Sequence, residues 1–192
     1  MENAKLIQTL GFIEKLKSTT RHSWTSENRH ESVAEHSWRL ALMAYFVKDE
    51  FPDVDIDKVI LMCLMHDFGE IVTGDIPAFY KTQEDENVEE DAISGIINSM
   101  PAPFKDEMRS LFDEMLALQT KEAKLVKALD KLETLVSHNE ADISTWLELE
   151  YTENLTYGEK ECSFSDYTAS LKEYIKQISI DKMKKEGNKN ED

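Results

Sequence analysis

Two adjacent residues, His66 and Asp67, close an apolar run that extends from Val59 to Met65. Strongly polar groups at the edge of such a run are costly to desolvate unless they find partners. Neutral imidazole and carboxylate both donate well to borderline divalent metals, so metal ligation is one chemistry open to the pair. Successive helical residues point about 100° apart. Both side chains therefore reach one ion only near a helix end or kink, which Gly69 permits. The other reading is a dipeptide at a helix end, with His66 favoured by the negative end of the dipole. Glu70 follows His66 by one turn and is either a proton donor or a surface glutamate at a helix end.

Two more polar residues interrupt apolar helical patterns. His36 lies on the stripe Val33, His36, Leu40, Met43, Val47, as a satisfied core histidine or as a ligand. Asp130 lies within LVKALDKLETLV, either solvated and paired with Lys127 or Lys131 at helical spacing or turned inward. The chain order is His, then His-Asp, then Asp, each on a different expected helix. Separate helices converging on a core metal are a recurring construction in α-bundles.

The elements that must position these residues follow from the 3.6-residue period. Leu6, Leu10, Ile13 and Leu16 predict an amphipathic helix over 4–17. The polar stretch Ser18 to Glu31, with Arg21, His22, Arg29 and His30, reads as a loop. Ser32-Val33-Ala34-Glu35 has the form of a capping box opening the helix of His36. Asp57 is the expected cap of an all-round apolar helix from Lys58 to about Phe68, and Gly69 to Pro77 reads as a loop. Further helices are expected at 83–99, 104–118 and 121–138, with a short one near 141–150 and a last one at 166–182. No period-2 strand pattern or internal repeat is visible. The expectation is an all-α helical bundle of about seven helices around a central metal site. Residues 1–182 would form a single domain, and the charged tail 183–192 would be disordered.

The 192 residues hold 22 basic and 39 acidic side chains, for a net charge of −17. Such a surface repels nucleic-acid backbones and anionic lipid, so no nucleic-acid polymer and no membrane is expected as partner. A small anionic substrate remains open where local cations overcome the global field. Cys63 and Cys162 suggest neither a disulfide framework nor a Cys-rich zinc site. The N-terminal MENAKLIQTLGF lacks the basic start and continuous apolar stretch of a signal peptide, and the longest apolar run is too short to span a bilayer. A cytoplasmic location is the expectation. There is no Walker-type glycine loop, no G-x-S-x-G and no Cys-His nucleophile arrangement.

The order His36, His66-Asp67, Asp130 resembles that of the HD-domain phosphohydrolases. The flanking motifs are more specific: R-x-E-S-V-A-E-H over Arg29 to His36, H-D-F-G-E over His66 to Glu70, T-G-D-I-P over Thr73 to Pro77, and L-V-K-A-L-D over Leu125 to Asp130. Together they resemble the YfbR-like 5′-deoxynucleotidase branch, over about Arg21 to Asp130. The resemblance implies an α-helical, usually dimeric enzyme that hydrolyses deoxyribonucleoside 5′-monophosphates to nucleoside and phosphate. It implies His36, His66, Asp67 and Asp130 as ligands of a divalent metal, for which Mn, Co, Fe, Ni and Mg all suit the donor set. Glu70 matches the family's catalytic acid, with Asp67 beside it in the catalytic set. Asp75, Ile76, Pro77 and Ala78 match the segment that contacts substrate, and Arg21 matches a phosphate-orienting arginine. Some members follow that arginine directly with tryptophan, whereas this chain reads Arg21-His22-Ser23-Trp24. Two rival functions stand beside this one: an HD hydrolase acting on a triphosphate, cyclic nucleotide or alarmone, and a non-catalytic helical module stabilised by its metal.

Overall fold

The computed structural model describes residues 1–77 and 80–189. Seven helices of ten residues or more dominate it: α1 (Asn3–Ile13), α2 (Val33–Phe46), α3 (Ile56–Met65), α5 (Gln83–Ser99), α6 (Phe104–Ala117), α7 (Lys121–Glu140) and α10 (Asp166–Lys189). Between them lie the short helices α4 (Glu70–Thr73), α8 (Glu150–Thr156) and α9 (Glu159–Cys162). The all-α bundle expected from the sequence is the architecture found.

The local signals act as their chemistry requires. The Ser32 hydroxyl accepts from the Glu35 amide at 3.3 Å, and the Glu35 carboxylate accepts from the Ser32 amide at 2.9 Å, so the capping box opens α2. Arg29 clamps the same carboxylate, with one contact at 2.9 Å. The cap of α3 is Asp55 rather than the expected Asp57: its Oδ1 accepts from the Lys58 amide at 3.1 Å, while Asp57 lies in the first turn. Thr120 caps α7 by accepting from the Ala123 amide at 3.2 Å.

The expected loop at Ser18–Glu31 is instead an antiparallel hairpin, β1 (Thr20–Trp24) with β2 (His30–Ser32). Alternation does exist along β1, where Arg21 and Ser23 are buried and Thr20 is exposed. The inward side chains are polar, so hydrophobic periodicity could not reveal the strand. The expected loop after Gly69 contains the single turn α4. The expected helix at 141–150 is a 3₁₀ turn, Ile143–Thr145, and helix begins only at Glu150. The last helix passes Lys182, where a disordered tail was expected, and runs to Lys189; lysine and glutamate are good helix formers. Residues 190–192 lie outside the described residues. Among those described, no helix is long and apolar enough to cross a membrane.

Helix α7 is the axis of the molecule. Leu125, Leu129, Leu132 and Leu135 are fully buried and pack with Leu40 and Ala44 of α2 and Val59 and Met62 of α3. A second apolar cluster joins Val33, Met65 and Phe68 to Ile96, Ile97 and Phe112. These two clusters fix the start of α2, the end of α3 and the middle of α7 against one another, and the polar residues singled out above lie where the three meet.

Candidate metal centre and active-site cavity

His66 and Asp67 occupy the turn that follows α3, off the regular helix, as the two-residue geometry demands. Gly69 allows this turn to approach α5. A Cβ at that position would stand 2.5 Å from Glu89 Cγ and 3.1 Å from the Glu89 carbonyl oxygen.

Four donor atoms converge there. The His66 Nε2 lies 3.0 Å from Asp67 Oδ2 and 3.8 Å from Asp130 Oδ1. The His36 Nε2 lies 3.3 Å from His66 Nε2, 3.3 Å from Asp130 Oδ1 and 3.7 Å from Asp67 Oδ2. Donors that share one cation at bond lengths of about 2.0–2.2 Å stand roughly 3–4 Å apart. One donor atom from each of His36, His66 and Asp67 lies within 4.8 Å of the others, so these residues fit a divalent ion, with Asp130 Oδ1 beside both imidazoles. Their supports fit as well. His36 Nδ1 is held by the Glu133 carboxylate, and His66 Nδ1 faces the Cys63 carbonyl oxygen at 2.8 Å. With protons fixed on Nδ1, both Nε2 lone pairs face the common point, the arrangement that oriented histidine ligands require.

Burial opposes the charged forms of Asp67 and Asp130, yet both are held below the usual carboxylate range. The His66 and His36 imidazoles do this for Asp67; Lys131, His36 and His66 do it for Asp130. Asp130 thus satisfies both readings of its sequence: Oδ1 faces the histidines, and Oδ2 lies 3.2 Å from Lys131 Nζ.

The cluster forms part of the wall of a cavity of about 590 Å³. Glu70, at the head of α4, is buried in that wall, and its Oε2 has no hydrogen-bond partner. Burial first, then the charges of Asp67 and Asp75, push its pKa up to about 10. Arg21 enters from β1 and is 7% exposed. Its Nη1 lies 3.1 Å from Glu31 and 3.5 Å from Glu133, its Nη2 donates to Thr134 at 3.1 Å, and its Nε is unpartnered, 3.9 Å from Asp75 Oδ1. Gly74, at φ +74°, turns the chain so that Asp75 accepts from the His22 amide at 3.2 Å. Ile76 and Pro77 line the cavity beside it, and Ala78 lies outside the described residues. Lys127 is exposed on the cavity's edge. Trp24 packs against His30 with ring centroids 4.1 Å apart and does not line this cavity.

Sequence reasoning missed Glu133 and the stripe that contains it. Asp130, Glu133, Thr134, Ser137 and His138 recur on one face of α7, in the spacing that normally carries an apolar stripe. All but Asp130 are buried. Arg39 Nε donates to Glu133 at 2.5 Å, so this carboxylate serves His36, Arg21 and Arg39 together. A polar i, i+3, i+4, i+7, i+8 pattern inside an apolar helix was the available signal.

A family model described as HD domain matches residues 13–172. The 5′-deoxynucleotidase HDDC2 of Homo sapiens is 34% identical over 139 residues, covering 70% of this chain and 67% of that protein. A solved structure described as a predicted metal-dependent phosphohydrolase from Magnetospirillum magnetotacticum superposes with TM-score 0.78 at 24% identity, covering 94% of this chain and 92% of that one. An HD-domain phosphohydrolase structure from Listeria innocua gives TM-score 0.69 at 25% identity, covering 93% and 89%.

Proposed function

The chain belongs to the HD domain family, and we propose that it is a metal-dependent phosphomonoesterase that removes the 5′-phosphate of deoxyribonucleoside monophosphates. The observation that carries this reading is one cavity combining the four-donor cluster with a buried Glu70, whose Oε2 has no hydrogen-bond partner, and a buried arginine. The name 5′-deoxynucleotidase carried by relatives supports the substrate class.

In this reading His36, His66, Asp67 and Asp130 hold the divalent ion. When bound, the ion supplies Lewis-acid polarisation of the phosphoryl group and makes water more acidic. The chain's own residues do the rest. Arg21, which lines the cavity and whose Nε has no hydrogen-bond partner, holds the dianionic phosphate and offsets charge that develops on it. Asp67, ionised and fixed by both imidazoles, keeps the negative charge of the site on the metal side. Glu70, whose carboxyl burial and the charges of Asp67 and Asp75 raise above its ordinary range, donates a proton to the departing 5′-oxygen. The segment from Asp75 through Ile76 and Pro77 to Ala78 meets the nucleoside. Residues 1–182 act as one catalytic domain in a cytoplasmic homodimer, and neither a nucleic-acid polymer nor a membrane is a partner.

The test is phosphate release from a panel of ribo- and deoxyribonucleoside monophosphates, with protein stripped and reloaded with Mn, Co, Mg or Zn. Release from deoxynucleotides that needs both the metal and Glu70 is the expected result. Silence across the panel with metal still bound overturns it. Release of tripolyphosphate, linear nucleotide or pyrophosphate from other esters would reassign the reaction within the family.

A further inference from the structure

At the other end of the cavity's polar stripe lies a second cluster, one turn of chemistry that the proposed reaction does not use. His138, eight residues and about 12 Å along the α7 axis from Asp130, is buried with Glu150 of α8 and faces His22 of β1. His22 Nε2 lies 3.0 Å from Glu150 Oε1, and His138 Nε2 lies 3.2 Å from the same oxygen. One ligand atom from each of the three residues falls within 4.8 Å of the others. These separations repeat those of the first cluster.

The supports repeat as well. His138 Nδ1 faces Asn154 Oδ1 at 3.0 Å, and Glu150 Oε2 accepts from the Leu147 amide at 2.7 Å. Asp75 Oδ2 stands behind His22, 3.7 Å from its Nδ1. In the tautomer that donates Nδ1–H to Asn154 Oδ1, His138 turns a bare Nε2 lone pair toward a carboxylate oxygen. That contact is repulsive unless a positive charge lies between them. His138 Nε2 is accordingly a buried nitrogen with no hydrogen-bond partner, on a residue only 5% exposed.

We infer that His22, His138 and Glu150 form a second site for a borderline divalent cation such as Zn, Co or Ni, separate from the HD cluster and opening on the same cavity. Two imidazoles and a carboxylate are a donor set that such ions favour, with remaining positions open to the cavity. Two carboxylates flank His22, Glu150 Oε1 at 3.0 Å from Nε2 and Asp75 Oδ2 at 3.7 Å from Nδ1, so the pocket favours positive charge at this point. A cation here ties β1 and α8 to α7, so it stabilises the fold whether or not it touches substrate.

The test is metal stoichiometry of the full chain, which does not depend on hydrolysis. Protein stripped with chelator, reloaded with cobalt and desalted is measured by elemental mass spectrometry, beside its visible absorption spectrum. Two cobalt ions per chain are expected for the wild type. One is expected for Glu150→Gln and for His138→Gln, and one for a His66→Ala variant that retains only the new site. Cobalt should also raise the wild-type Tm beyond that of Glu150→Gln. Should the buried variants fail to fold, His22→Gln, at a side chain 19% exposed, reads the same loss. A single cobalt in the wild type, unchanged by His22→Gln or Glu150→Gln, overturns the proposal and leaves the cluster as a histidine–glutamate ion pair.

Discussion

Glu133 stands directly behind His36, its carboxylate on Nδ1 while Nε2 faces Asp130 Oδ1 at 3.3 Å. The same carboxylate receives Arg39 and lies 3.5 Å from Arg21. It therefore orients the ligand and neutralises two guanidinium groups at once, the buried Arg21 and the partly exposed Arg39. Glu133→Gln keeps the shape and removes the charge. Metal affinity, measured by competition with a chromophoric chelator, should fall about 10–100-fold. Glu133→Ala should cost more, because two guanidinium groups lose a buried partner: about 3–5 kcal/mol in denaturant unfolding. Unchanged metal affinity in the glutamine variant would remove Glu133 from the centre.

The raised pKa of Glu70 has a consequence for stability with a definite sign. The folded state holds a proton up to about pH 10, while the unfolded chain releases it near its ordinary value of 4.5. Wild-type metal-free protein should therefore lose stability as pH rises between those values, by up to about 1.4 kcal/mol per pH unit from this group. Glu70→Gln should gain on the wild type over that window, seen as diverging urea midpoints at about pH 6 and pH 8.5. Its kcat should fall by about 10²–10⁴, and the alkaline limb of kcat/KM should disappear. Parallel stability curves would place an ionised Glu70 in the cavity wall.

Gly69→Ala tests the approach of the His-Asp turn to α5. The added Cβ meets the root of the Glu89 side chain and its backbone carbonyl, neither of which swings away easily. Overpacking of this kind costs about 1–3 kcal/mol, and any relief must move the turn. Both the urea midpoint and the metal affinity should drop together. A loss of stability with metal affinity intact would show that α5 yields rather than the turn.

Helices α2 and α3 expose large apolar side chains, Trp38, Tyr45 and Phe46 on the first and Leu61 and Leu64 on the second, and Phe46 is 77% exposed. Exposed apolar surface, where it gathers into a patch, usually meets another protein surface. A homodimer formed through it predicts that Phe46→Glu sediments as a monomer at concentrations where the wild type is dimeric. Two species of equal mass in sedimentation equilibrium would assign the face elsewhere.

Much of the fold was legible because its signals are local. The Ser32 capping box and the expected bounds of α5 at 83–99 coincide with the structure. The site was legible through residue types that contradict their surroundings, His36 and Asp130 above all. What escaped was polar burial. Arg21 and Ser23 point inward from a strand that hydrophobic alternation cannot detect, and Glu133 and Ser137 hid behind the leucines of their own helix. His22, His138 and Glu150 could not be joined in sequence because β1, α7 and α8 bring them together only in three dimensions. The cap of α3 shows the ordinary two-residue ambiguity between neighbouring aspartates, resolved by which one reaches the Lys58 amide.

Because α7 delivers Asp130, Glu133, Thr134, Ser137 and His138 from one face, its residues are locked in phase. Each residue inserted or deleted between Asp130 and His138 would rotate everything beyond it by about 100°. Such a change would swing the C-terminal half of the stripe out of the cavity and turn leucines into it. Point substitution along this helix can be local in effect, but a change of length cannot. The connections on either side of α7 do not carry this constraint of helical phase, whereas these nine positions form a fixed-length cassette.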